Sequence, residues 1–103
     1  MAAYTLWSGA SQALVDIYVY THDSWGLAQA DKYLDGFYAC FAQIAAKKAM
    51  WRPIPAMFDI TGYYTRYEHH YIYWKKASNG DIAIVAILRE RMHQVDRLKD
   101  VME

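Results

Sequence analysis

The sequence predicts an α+β fold: an N-terminal strand, an antiparallel helical hairpin packed on a small, mainly antiparallel β-sheet, and a short C-terminal helical tail. Three observations carry this. The stretch Asp59–Met92 reads as strand, turn, strand, turn, strand and a charged exit, with Gly62 and Asn79-Gly80 as its turns. Asn-Gly is a strong hairpin signal because a type I′ turn needs φ > 0 at both central residues. Ahead of this meander, two segments carry apolar residues at helical spacing. A chain of 103 residues then suffices for one domain, residues 1–103, with one modest core.

Each element follows in order. Ala3–Trp7 is a short apolar strand ended by Ser8-Gly9, and Ser8 suits the N-cap of a first helix. From there Ala10, Ala13, Leu14, Ile17 and Thr21 form one stripe, with Tyr18 beside it. His22-Asp23-Ser24 reads as a polar break, with Ser24 capping a second helix that starts at Trp25-Gly26. In that helix Leu27, Ala30, Leu34, Phe37, Phe41 and Ile44 recur in steps of three and four, which predicts a buried seam. Lys47-Lys48 marks its end, where cations suit the carboxyl end of the helix dipole. Two helices so closely joined should pack antiparallel. Met50–Ala56, with Pro53 and Pro55, is the irregular crossing into the sheet, and His93–Glu103 reads as an amphipathic helix through Val95, Leu98 and Met102.

A two-residue Asn79-Gly80 loop sets an explicit register. Trp74 faces Val85, Ile72 faces Ile87 and His70 faces Arg89. One face then holds His70, Ile72, Trp74, Val85, Ile87 and Arg89; the other holds Tyr71, Tyr73, Lys75, Ile82, Ile84, Ala86 and Leu88. Both are apolar at the centre, whereas a small antiparallel sheet usually keeps one wet face. The helices cover one side. Loops and termini, or an obligate partner, must cover the other.

Composition narrows the function. Apolar residues make up 55% of the chain and aromatics 17%, with ten Tyr and four Trp. Such a surplus suits a protein-binding surface, where Tyr and Trp are favoured. Eleven basic residues balance eleven acidic ones, which argues against a protein that simply clamps nucleic acid. The single cysteine, Cys40, reads as a packed structural thiol. No basic, apolar leader and no run of ~18 apolar residues is present, so no membrane segment and a cytoplasmic location are expected. Neither His22 nor His93 has a partner at ligand spacing, and His69-His70, adjacent on one strand, would point to opposite faces, so no metal or cofactor is expected.

A series of short motifs runs along the chain in fixed order. They are Tyr4-x-Leu6, Asp16-Ile17-Tyr18-x-Tyr20, Trp25-Gly26-x-x-Gln29-Ala30-x-x-Tyr33, Ile60-x-Gly62-Tyr63, His70-x-Ile72-x-Trp74, and Ile87-Leu88-Arg89-x-Arg91-Met92. From Tyr4 to Met92 this resembles the ParE toxins of the bacterial RelE/ParE toxin–antitoxin superfamily. The resemblance implies a helical hairpin on a small antiparallel sheet, neutralisation by a ParD-like ribbon-helix-helix antitoxin in a hetero-oligomer, and poisoning of DNA gyrase. On that basis the antitoxin should meet Tyr18, Trp25, Tyr33, Tyr71, Tyr73, Ile84 and Leu88, on the helical hairpin and the second sheet face. The target should meet Arg89, Arg91 and Met92, where the last strand exits. The alternative is a metal-free, ribosome-dependent mRNA endonuclease of the RelE type. It would need His70 as general acid or base, with Arg66 and Arg89 converging on one phosphate. His70 reads rather as a half-buried strand histidine beside Ile72 and Trp74, and an adjacent Arg89 would disfavour its imidazolium.

Overall fold

In the computed structural model, residues 4–48, 51–56, 61–90 and 97–98 are described. The elements are β1 (Tyr4–Leu6), α1 (Ser8–Trp25), α2 (Leu27–Ala45), β2 (Arg52–Pro53), β3 (Tyr63–Tyr67), β4 (His70–Lys76) and β5 (Ile82–Arg89). They build a five-stranded sheet in the order β1-β5-β4-β3-β2. Every pairing is antiparallel except β1 with β5, where Tyr4, Thr5 and Leu6 run parallel to Ile82, Ala83 and Ile84. The helical hairpin is the crossover that parallel pairing requires.

The helices meet at one residue. His22-Asp23-Ser24 is not a break: α1 continues through Trp25, and Gly26 at φ 94° ends it by donating its N–H to the His22 carbonyl. Neither expected cap operates, since Ser8 is the first helical residue of α1 and Gly26, not Ser24, precedes α2. A glycine supplies the backbone angle that the serine cap could not. Along α2, Ala30, Phe37, Phe41 and Ile44 are fully buried, whereas Leu27 is 57% exposed because the seam has not yet reached the sheet. Burying each large member of that seam contributes roughly 1.5–3 kcal/mol. The carboxyl end turns through Lys47 at φ 60°, with Lys48 N–H bonded to Gln43 and Lys47 N–H to Ile44. This is a Schellman turn, and a residue with a Cβ in that left-handed position costs ~1–2 kcal/mol.

The meander departs from expectation at both turns. Its first turn is Glu68-His69, with Tyr67 facing His70 and Glu68 at φ 53°. No glycine signals it; Arg66 holds it instead, donating from Nε to the Glu68 carbonyl (2.9 Å). His69 therefore lies in a turn rather than on a strand. The second loop is three residues long: Ala77 pairs with Asp81, and Gly80 at φ 89° donates to Ala77. The extra residue shifts the register, so Trp74 faces Ile84 and not Val85. A β-bulge between Tyr73 and Trp74 then restores it, and Ile72–Ile87 and His70–Arg89 pair as expected.

The bulge decides which side chains enter which layer. Ile82, Ile84 and Ile87 join Ile72 and Trp74 beneath the helices, with Ala10, Leu14, Phe37, Phe41 and Ile44. Ala83, Val85 and Ala86 face the other way, packing with Tyr73, Ile54 and Leu98. Ile82, Ile84 and Val85 are thus on the opposite faces from those the two-residue loop implied. Part of the second face is covered from within the chain, as Leu98, only 1% exposed, shows. Arg97–Leu98 are helical; the rest of the expected tail helix, and the segment before Thr61, lie outside the described residues.

Candidate functional site

Three surfaces carry the residues singled out from the sequence. The first is a cleft of about 490 Å³ at the end of the sheet where β4 begins and β5 ends. Its walls include Asp16, Tyr20 and Trp25 from α1, Gln29 and Tyr33 from α2, and His70 and Arg89 from the sheet. Cross-strand pairing sets His70 opposite Arg89. Beneath them lies an aromatic floor: Tyr67 packs edge-on against Phe37 (4.7 Å) and stacks on Tyr33 (5.6 Å). Gly36 makes this possible, since a Cβ there would overlap the Tyr67 hydroxyl.

The electrostatics of the cleft keep its histidine neutral. His70 is 8% exposed, and burial first, then the Arg89 guanidinium, lowers its pKa from 6.5 to about 4. Burial, above all, pushes Tyr33 up to about 12, so its hydroxyl stays protonated, and it shares a hydrogen bond with His70 Nδ1 at 3.0 Å. Arg89 lies over the Tyr20 ring, 5.9 Å from its centroid. Arg66 does not join them. It pairs across the sheet with Tyr71, on the opposite face, and its Nη2 bonds Glu90 at 2.7 Å. Of the nuclease set, the structure unites His70 with Arg89 and separates Arg66.

The second surface is a groove of about 350 Å³ along α1 and α2, lined by Leu6, Leu14, Val15, Tyr18, Val19, Leu34 and Tyr38. Val15, Val19 and Tyr38 are exposed there. Tyr18 is anchored across the hairpin by donating to Asp31 at 2.8 Å. The third is the outer sheet face, where Tyr64, Tyr71 and Tyr73 form a ring cluster with centroids 6.1, 6.2 and 6.4 Å apart.

The residues expected to bind a protein partner therefore divide. Tyr18 lines the groove; Trp25, 75% exposed, and Tyr33 line the cleft; Tyr71, Tyr73 and Leu88 belong to the outer face. Ile84 belongs to none of them, because the three-residue loop sets it opposite Trp74, fully buried under the helices. Arg89 borders the cleft, and Arg91 and Met92 lie outside the described residues. Sequence reading missed Val15, Val19 and Tyr38. Their signal was a second apolar stripe on α1, Val15-Tyr18-Val19, opposite the one assigned to the core. Among the described residues, no group of His, Cys, Asp or Glu is placed to hold a metal, and no helix is long and apolar enough to cross a membrane. Cys40 is half-buried, and burial raises its pKa, as suits a packed thiol.

A helical hairpin on a mixed five-stranded sheet, open to solvent through an apolar groove and an aromatic cleft, is a small domain equipped to bind another protein. Comparison with known proteins makes this specific. Residues 6–94 match the family described as the ParE toxin of the parDE type II toxin–antitoxin system. The chain is 33% identical over 100 residues to Toxin ParE of Escherichia coli, covering 97% of this chain and 96% of that protein. Its fold matches a solved structure described as the chromosomal ParDE TA system from P. aeruginosa, with a TM-score of 0.68 at 18% identity over 86% of this chain and 96% of that one. The chain belongs to the ParE toxin family of type II toxin–antitoxin systems, and an antitoxin is its implied partner.

Proposed function

We propose that this toxin acts by binding rather than by catalysis. A ParD-like antitoxin of the ribbon-helix-helix type holds it inactive in the cell, and DNA gyrase is its target when free. The observation that carries this reading is the separation of Arg66 from His70 and Arg89. A RelE-type nuclease needs several cations converging on one phosphate beside a proton carrier. Here Arg66 is paired with Glu90 on the other face, and His70 is neutral and hydrogen-bonded to Tyr33. The exposed apolar groove on the helical hairpin supports an antitoxin helix laid along it, anchored by Val15, Tyr18, Val19 and Tyr38. Arg89 at the cleft, with Arg91 and Met92 after it, forms the target-facing end.

Purified toxin should inhibit supercoiling by gyrase and leave mRNA intact in a translating ribosome. The double variant Arg89→Ala/Arg91→Ala should lose the inhibition while still binding antitoxin. It is a cleaner test than deleting Arg91–Glu103, which would also remove the buried Leu98. Codon-specific mRNA cleavage abolished by His70→Ala would make the nuclease reading correct.

A further inference from the structure

The groove on the helical hairpin has two walls of unlike character. Its α1 wall is uncharged, lined by Ser11, Val15, Tyr18 and Val19. Toward the corner that stripe ends in His22, whose Nδ1 lies 3.3 Å from Oδ1 of its own neighbour Asp23. The α2 wall is Leu34 and Tyr38. At ~100° per residue, Leu27 falls on the same line as Leu34, and it is exposed at the first position of α2. The apolar track along α2 therefore runs from Leu27 to Tyr38, about 16 Å or about three turns at ~1.5 Å per residue.

An acidic rim borders this second wall. Around the helix, Asp31 stands about 40° and Asp35 about 80° from the line of Leu34 and Tyr38, and both are exposed. Contact places Asp31 at the groove, since its Oδ1 accepts from the hydroxyl of Tyr18 on the facing wall at 2.8 Å. Asp35 follows one turn later. Other charges lie off the groove. Lys32 is turned about 140° away from that line, and among the described residues it forms no ion pair with either carboxylate. Asp16 lines the cleft on the other side of the hairpin, and Lys47 and Lys48 lie beyond the far end of α2.

Shape and charge together describe the occupant. Val15 with Val19, and Leu34 with Tyr38, are ridges of residues four apart, the spacing that a packed helix interlocks with. Two carboxylates one turn apart are matched by cations one turn apart on a helix lying alongside. Since the α1 wall carries no charge, such cations are called for on one flank alone. We propose that the groove takes an amphipathic helix of about three turns that carries Lys or Arg along a single flank, the one lying over α2, opposite Asp31 and Asp35. This rests on the reading that the antitoxin docks here, and adds the sign and the side of its charges. The two carboxylates act as a selection rule. An antitoxin helix with the same apolar stripe and an acidic flank is repelled by the rim, so apolar fit alone does not earn entry.

Stopped-flow and equilibrium titration of the full chain test this, with the antitoxin recovered from the purified toxin–antitoxin complex as the probe. At ~50 mM salt, Asp31→Asn/Asp35→Asn should bind about 3–10-fold more weakly than the parent and lose most of its salt dependence. Asparagine still accepts from Tyr18, so the groove keeps its shape. Asp35→Lys should weaken binding at least ~10-fold, largely through slower association. Asp16→Lys makes the same change in net charge on the cleft side, and should alter affinity less than about twofold. An equal loss for Asp16→Lys would reveal steering by the whole chain and overturn the local rim. Tighter binding by Asp35→Lys would reveal an acidic flank and overturn it too. Unchanged affinity in the double asparagine variant, beside a clear loss in Val19→Asp, would sink the rim and leave the groove standing. No loss in either would remove the antitoxin from this groove altogether.

Discussion

Replacing Gly36 by Ala should destabilise this protein, against the usual sign for such a change. In a helix interior, Ala is favoured over Gly by about 0.8–1 kcal/mol. Here the added Cβ would overlap the Tyr67 hydroxyl and lie 2.6 Å from its Cζ. Ordinary carbon contacts are ~3.5–4.0 Å, so the ring must retreat by more than ~1 Å. It has little room, being edge-on to Phe37 at 4.7 Å and stacked on Tyr33 at 5.6 Å. Overpacking of this kind costs ~1–3 kcal/mol, and each disturbed aromatic pair adds ~0.5–1.5 kcal/mol. The expected net loss is roughly 2 kcal/mol, or a fall in Tm of about 8–16 °C. Thermal and urea denaturation of Gly36→Ala, Tyr67→Ala and the double variant measure the coupling. In the Tyr67→Ala background the same substitution should turn stabilising. A raised Tm for Gly36→Ala alone would show that the ring yields freely, and would refute the claim that Gly36 sets the aromatic floor.

Two further outcomes follow from the cleft and the groove. His70 binds its proton less readily in the folded chain, with a pKa near 4 against 6.5 unfolded. Its contribution to stability is therefore complete above pH 6.5 and declines as pH falls toward 4. About 2 kcal/mol should be lost between pH 7 and 5, and His70→Gln should flatten that part of the urea-denaturation profile; an unchanged profile would place the histidine in contact with solvent. Val19→Asp, at a half-exposed position in the groove, should leave folding stability within about 0.5 kcal/mol of the parent. Titration calorimetry should then show antitoxin affinity at least ~10-fold weaker, because a carboxylate would be buried unpaired. Undiminished affinity would move the antitoxin off this groove.

What could be read from the chain depended on whether a signal was local. The seam Ala30–Phe37–Phe41–Ile44 and the pairs Ile72–Ile87 and His70–Arg89 were legible because periodicity and a turn dipeptide encode them within a few residues. The Glu68-His69 turn was not, since its stability comes from Arg66 folding back rather than from a turn residue. The loop and the bulge illustrate a subtler failure. Each shifts the register by one residue in opposite senses, so the far end of the hairpin was read correctly while Ile84 was assigned to the wrong face. A bulge in an apolar run such as Ile82–Leu88 leaves no mark, because either phase looks hydrophobic. Trp25 and Tyr33, read from the sequence as aromatic residues on the helices, line the cleft. Val15 and Val19 were missed because an isolated helix sequence does not declare which of two apolar stripes will meet the sheet. The two lysines over Trp51 were invisible for a related reason: Lys47 and Lys76 are brought together only by the tertiary fold.

The parallel pairing of β1 with β5 bears on when the protein can become active. Tyr4–Leu6 find their partners only in Ile82–Ile84, almost at the other end of the described chain. A ribosome must release most of the polypeptide before the first strand has anything to pair with, and β5 is also the strand that lines the cleft with Ile87 and Arg89. Contacts of such long sequence separation close late and slowly. The cleft that holds His70 and Arg89 thus cannot assemble on an unfinished chain, and a truncated translation product lacking β5 should be inert. The order in which the sheet closes gives the cell an interval, set by chain length, in which an antitoxin already present can wait for its partner to fold.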